Sequence, residues 1–252
     1  EINEVEVPIK FLRYGLIQDS GGPGLHRGGL ATELEVKVFS PDTVVTARNR
    51  DRSSFSAWGL VGGHAGATSR FAKNPDTDHT VELGSTDIVH CEPGDVILIQ
   101  GPGAGGYGRP VDRPVEEVVF DVRRGFVSPA RARSDYGVAV RADMSVDEDE
   151  TARLRADLAK TQTEEEFGQG ERRLSFEKVW TLARYEALTG ILAQLPISWR
   201  YFVKHRIFAE IGTVEAADAE GASAVHAAYD KLRVRFAELP DLSGRSTLEA
   251  AE

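Results

Sequence analysis

The run Gly101-Pro102-Gly103-Ala104-Gly105-Gly106-Tyr107-Gly108-Arg109-Pro110 constrains this chain more than any other stretch. It follows an apolar, strand-like segment and spells G-x-G-x-x-G, the dinucleotide-binding fingerprint. A dinucleotide site needs the glycine loop to open straight into a helix, whose first amides and dipole hold the pyrophosphate. Pro110 and Pro114 stand where the second turn of that helix would begin. Proline lacks an amide donor and disfavours helical geometry in the residue before it, so Gly105 to Pro114 is expected as an irregular loop.

The texture around the loop predicts an α+β fold: a glycine-rich β domain over residues 1–144, followed by a helical C-terminal region over 145–252. Glu33 to Phe39 alternates polar and apolar residues, Asp42 to Arg48 is rich in valine and threonine, and Val96 to Ile99 is a short apolar run after the turn-like Pro93-Gly94-Asp95. These are strand patterns. After Met144, Ser145-Val146-Asp147-Glu148 resembles a capping box and predicts a helix through Lys160. Apolar residues at helical spacing predict a second helix over Glu171 to Leu195, stopped by Pro196, and a third over Trp199 to Ile211. An alanine-rich fourth spans Val214 to Leu239, and the last dozen residues are expected to fray.

Composition excludes several function classes. With 41% hydrophobic and 28% charged residues, the 252-residue chain has the make-up of a globular protein rather than a disordered one. Its net charge of −10 disfavours non-specific nucleic-acid binding, which needs clustered positive charge. No apolar run approaches the roughly 18 residues of a membrane span. Cys91 is the single cysteine, so a reducing, cytoplasmic setting is expected. Glu1 is not an initiator methionine, and the chain is expected to start inside a longer product.

Two more glycine clusters precede the run at 101. The first joins Arg13-Tyr14 to Asp19-Ser20-Gly21-Gly22-Pro23-Gly24-Leu25-His26-Arg27-Gly28-Gly29-Leu30. The second joins Asp51-Arg52 to Trp58-Gly59-Leu60-Val61-Gly62-Gly63-His64-Ala65-Gly66. Glycine admits close approach of a backbone or a ligand. Asp19 and Arg27 are therefore candidate catalytic groups, and Arg13, Ser20, Asp51, Arg52 and His64 candidate substrate contacts. The same charges also suit an ion pair that pins a tight crossover loop, the reading that weighs more for any single residue. Ser20 lacks the G-x-S-x-G elbow of a nucleophilic serine and fits a loop serine bonded to nearby backbone. His79, His90 and Cys91 sit where paired strands can bring them together, but no metal ligand or cofactor contact is assigned in this chain, because the six histidines fall in no recognised ligand spacing.

In order, D-S-G-G-x-G-x-x-R-G-G-L, D-R, W-G-L-x-G-G-x-x-G, G-D and P-G-x-G-G-Y-G-x-P resemble the C-terminal half of the hydantoinase B/oxoprolinase family over about residues 8–157. Asp121, Gly125, Val127-Ser128, Ala132 and Tyr136-Gly137 continue the likeness. Gly101, Ala104 and Arg109 depart from the family's T-P-G-G-G-G-Y-G-D-P. The resemblance implies a component, not active alone, that works with a hydantoinase A-like subunit binding ATP and Mg²⁺ and with an N-terminal hydantoinase B half, where a divalent metal (Mn or Zn) would lie. It implies ATP-dependent hydrolysis of a cyclic amide (hydantoin, 5-oxoproline or lactam) through a phosphorylated intermediate. Carboxylation of a ketone of the acetone or acetophenone type is the alternative, towards which the helical tail leans, and a non-catalytic assembly module is a third. The chain carries no G-x-x-x-x-G-K-[ST] loop of its own, consistent with ATP on a partner.

Overall fold

The computed structural model describes residues 2–47, 51–86, 88–164 and 167–242. The chain divides into two compact units, Glu1–Arg172 and Arg173–Glu252. An antiparallel β domain does precede a helical region, as the texture predicts.

The first unit is built on β1 (Ile9–Leu16), β2 (Thr32–Val38), β3 (Thr43–Thr46), β4 (Arg70–Lys73), β5 (Val81–Glu82), β6 (Ile88–Cys91) and β7 (Val96–Gln100). Five of these form an antiparallel sheet in the order β1-β2-β7-β4-β5, and β3 pairs with β6. The alternation in β2 decides which face is buried. Leu34 and Val36 stand opposite Ile99 and Ile97, while Glu33, Glu35 and Lys37 share the other face. Val38, Phe71 and Ile97 then pack with Val89 and Cys91 of the β6 strand as one core.

Three helices complete this unit: α2 (Val115–Arg123), α3 (Pro129–Tyr136) and α4 (Glu148–Leu158), after a short helix α1 (Ile2–Glu6) at the start. The sequence reading gives α4 and its Asp147 cap, whose side chain accepts from the Glu150 amide at 3.1 Å. It does not give α2 and α3. The chain is irregular to Arg109, makes one 3₁₀ turn at Pro110–Asp112, and enters α2 directly after Pro114. Proline breaks a helix interior but suits a helix start, and Pro129 holds the first turn of α3 behind its Ser128 cap. Val118, Val122, Ala132, Tyr136 and Val138 form their shared core.

The second unit consists of α5 (Glu171–Val179), α6 (Leu182–Ala193), α7 (Ile197–Ile211) and α8 (Asp218–Arg235), with α5 beginning at the boundary. The single helix expected over Glu171 to Leu195 is broken at Trp180–Thr181. Packing overrides local periodicity there: Trp180 is 3% exposed and stacks on Phe208 of α7 at 3.8 Å between ring centroids. The helix expected over Val214 to Leu239 is shorter at both ends. The expected fraying beyond Leu242, and Arg48 of the second strand pattern, lie outside the described residues. Among the described residues no helix is long and apolar enough to cross a membrane.

Candidate functional site

The three glycine clusters cross one another and are joined by backbone hydrogen bonds. Gly22 donates to the Ala104 carbonyl (2.8 Å), Ala104 to Gly29 (3.0 Å), Gly106 to His64 (2.9 Å) and His64 to Pro23 (2.8 Å). Tyr107 and His26 exchange both their backbone bonds at 2.9 Å, and Leu60 donates to Gly106 at 2.9 Å. This crossing explains the glycines more directly than a ligand does. A Cβ on Gly103 would overlap the Ser20 carbonyl, and one on Gly105 the Trp58 carbonyl. Backbone against backbone leaves no room for a side chain.

The crossing also consumes the donors that a phosphate would need. A nucleotide loop offers unpaired amides to the anion, whereas those of Gly22, Gly59, Gly63, Gly66, Gly103, Gly106 and Gly108 already donate to carbonyls. ATP with Mg²⁺ does not fit this loop. Among the described residues no three His, Cys, Asp or Glu side chains lie together as metal ligands. His90 and Cys91 alternate on β6, one exposed and one buried, and burial pushes the Cys91 thiol up from its ordinary value.

The two candidate catalytic residues hold the crossing in place. Arg27 directs Nε to Asp121 Oδ2 at 3.0 Å, donates to the Gly28 carbonyl at 2.7 Å, and lies over the Phe126 ring. Asp19, at a left-handed φ of 63°, accepts from the Ser128 amide at 2.7 Å and so ties the first loop to the start of α3. Ser20 is buried; its hydroxyl donates to the Ile17 carbonyl and accepts from the Ala31 amide. The other candidates lie elsewhere. Arg13 is an exposed β-strand residue paired with Glu33 and Glu35. Asp51 and Arg52 use their carbonyls to anchor Ser69, and the Arg52 guanidinium donates to the Ser56 carbonyl. Arg109 pairs with Asp112 and reaches the Gln162 carbonyl.

His64 differs from this set. Its backbone lies in the crossing, yet its residue surface is exposed. The surrounding chain still desolvates the ring enough to lower its pKa below the ordinary 6.5, with Asp135 pulling upward and Arg131 downward. Exposed Tyr107 belongs to the adjoining loop, its ring 6.2 Å from that of His26. Together these groups offer a neutral imidazole acceptor, a phenol and a second imidazole on one glycine-backbone scaffold.

Asp121 is the residue whose role the sequence reading missed. Its carboxylate is bound by Arg27 and also by Arg113, 3.2 Å away. The available clue was an acid between Phe120 and Val122 in the apolar V-V-F-D-V stretch, since an unpaired buried carboxylate is costly. Beside it, the Tyr136 hydroxyl is buried without a hydrogen-bond partner among the described residues, and burial pushes its pKa up to about 12 despite nearby Arg113 and Arg27.

Comparison with known proteins fits this scaffold to a family. Residues 1–110 match Hydantoinase B/oxoprolinase. An uncharacterized Methanocaldococcus jannaschii protein is 35% identical over 158 residues, covering 62% of this chain and 28% of its own. The caprolactamase beta subunit of Pseudomonas jessenii is 32% identical, covering 62% of this chain and 27% of its own. The crystal structure of that organism's ATP-dependent caprolactamase matches 61% of this chain and 27% of its own with a TM-score of 0.51 at 29% identity. The acetone carboxylase alpha subunit of Xanthobacter autotrophicus is 28% identical, covering 68% of this chain and 28% of its own. The chain thus spans about a quarter of the length of these curated relatives. Through residues 1–110 the chain is thus similar to the hydantoinase B/oxoprolinase family.

Proposed function

We propose that the chain is a component of an ATP-dependent enzyme that hydrolyses a cyclic amide: a hydantoin, 5-oxoproline or a lactam. The observation that carries this reading is the crossing of the three family glycine loops, which leaves His64 exposed and favours its neutral form. Asp19, Ser20 and Arg27 shape the crossing, and His64 is the group in it that faces substrate. An imidazole below its usual pKa can accept a proton from an attacking water near neutral pH. Phosphoryl chemistry, with ATP and Mg²⁺, belongs to a hydantoinase A-like partner. A divalent metal, Mn or Zn, belongs to an N-terminal hydantoinase B half.

The test is ADP release by the chain assembled with a hydantoinase A-like subunit and an N-terminal half, given a hydantoin, 5-oxoproline or a lactam in turn. Release with one of these, lost in His64→Gln while the complex stays assembled, supports the reading. Equal release without any amide overturns it. A ketone carboxylase is the second reading, favoured by the larger share of this chain that the acetone carboxylase relative covers. Bicarbonate-dependent release with a ketone would select it. An assembled complex whose turnover ignores His64→Gln, Asp19→Ala and Arg27→Ala would make the chain an assembly module.

A further inference from the structure

The apolar face of the five-stranded sheet continues beyond what the described residues of the first unit cover. At the β7 end Ile97 and Phe71 are 2% and 3% exposed under the β3–β6 pair. Moving across the sheet, Ile99 stands opposite Leu34 and Leu34 opposite Tyr14, so all three share that face. Leu34 and Val36 are half-buried, whereas Tyr14 is 78% and Leu16 55% exposed. The opposite face of the same strands is satisfied within the chain, where Arg13 pairs with Glu33 and Glu35 and Gln100 donates to Glu33. The outer edge of β1 is guarded too, because Glu4 of α1 accepts from the Phe11 amide at 2.7 Å beside a register shift. Strand addition is therefore blocked at Phe11, and it is the face that is open.

We infer that this face, centred on Tyr14 and Leu16, receives the remainder of a hydantoinase B-type subunit. The inference rests on the family reading above. In the relatives the matched segment is only 27–28% of the chain, so most of such a subunit has to pack elsewhere on this segment or its neighbours. The patch has the chemistry of a permanent contact: it extends a hydrophobic core and carries no charge on its own face of β1.

The probe is the caprolactamase beta subunit with its matched segment deleted, mixed with the full 252-residue chain and sized by light scattering after gel filtration. A 1:1 complex is expected, weakened at least ten-fold by Tyr14→Lys with Leu16→Lys, whose exposed positions leave the melting temperature of the free chain unchanged. Trp58→Lys, on a glycine loop, should leave the complex intact. Should the double lysine variant misfold, Tyr14→Ser with Leu16→Thr replaces it. Absence of a complex, equal binding by the variant, or a homodimer that the variant disperses would each overturn the inference. Binding is read without turnover, so a failed ATP assay and a failed interface are told apart.

Discussion

Arg27 and Asp121 are 94 residues apart in sequence, and their side chains meet at 3.0 Å, joining the first glycine loop to α2. Arg113 meets the same carboxylate oxygen at 3.2 Å. One carboxylate thus compensates two guanidinium groups in a region where Asp121 is 3% exposed.

Asp121→Ala should therefore destabilise the first unit by about 3 kcal/mol, because it strands the poorly solvated Arg27 guanidinium and leaves Arg113 with Glu117 alone, at 3.1 Å. Arg27→Met should cost less, since Arg113 still serves Asp121. Urea unfolding followed by tryptophan fluorescence measures both. A melt unchanged in Arg27→Met together with lost turnover in the assembled enzyme would return Arg27 to a catalytic role.

Gly103→Ala should cost about 3 kcal/mol, the upper end for overpacking, because its Cβ meets the Ser20 carbonyl and no side chain can move aside. Gly29→Ala is the control: its Cβ would find only the Ala104 methyl, at 4.0 Å, and should change stability by less than about 0.5 kcal/mol. Equal melts for the two variants would show that the crossing is looser than the hydrogen bonds imply.

These two cases mark how far the sequence is readable. Clustered glycines announce close approach, and their order carries the family resemblance, but nothing local says that the approaching group is the chain's own backbone. The Asp147 cap is legible because its partner, the Glu150 amide, is three residues away. Asp121 is not, because its partner lies 94 residues back in the chain. The helices after Pro114 and Pro129 were hidden because proline marks both an ending and a beginning. The break at Trp180 comes from a ring on another helix, which periodicity within Glu171 to Leu195 does not contain.

His64 should titrate below 6.5 in a proton NMR titration of the folded chain. Folding lowers this pKa, so the unfolded chain binds the proton more tightly. The associated stability is complete above 6.5 and declines as pH falls from 6.5 towards the folded value. His64→Gln should flatten that part of the stability profile. A midpoint at or above 6.5 would mean that Asp135 outweighs desolvation at this ring, and it would remove the neutral acceptor on which the proposed role depends.

In the second unit Arg184 is 1% exposed and ties together two segments, donating from Nη1 to the Val179 carbonyl at the end of α5 and to the Val214 carbonyl, between α7 and α8, at 2.7 Å. Its stem lies against α8, where a Cβ on Gly221 would come within 3.0 Å of Nε. Arg184→Met keeps the aliphatic volume but deprives both carbonyls of a charged donor, and should cost about 1.5–3 kcal/mol. Gly221→Ala pushes against a guanidinium held by two hydrogen bonds from Nη1, whereas methionine in its place has flexible bonds that can yield. The double variant should therefore lose less than the sum of the two single losses, by about 0.5 kcal/mol or more, as expected for residues in contact. Additive losses in a urea-unfolding cycle would show that Arg184 and Gly221 act separately, leaving the carbonyl bonds alone to explain why an arginine is buried there.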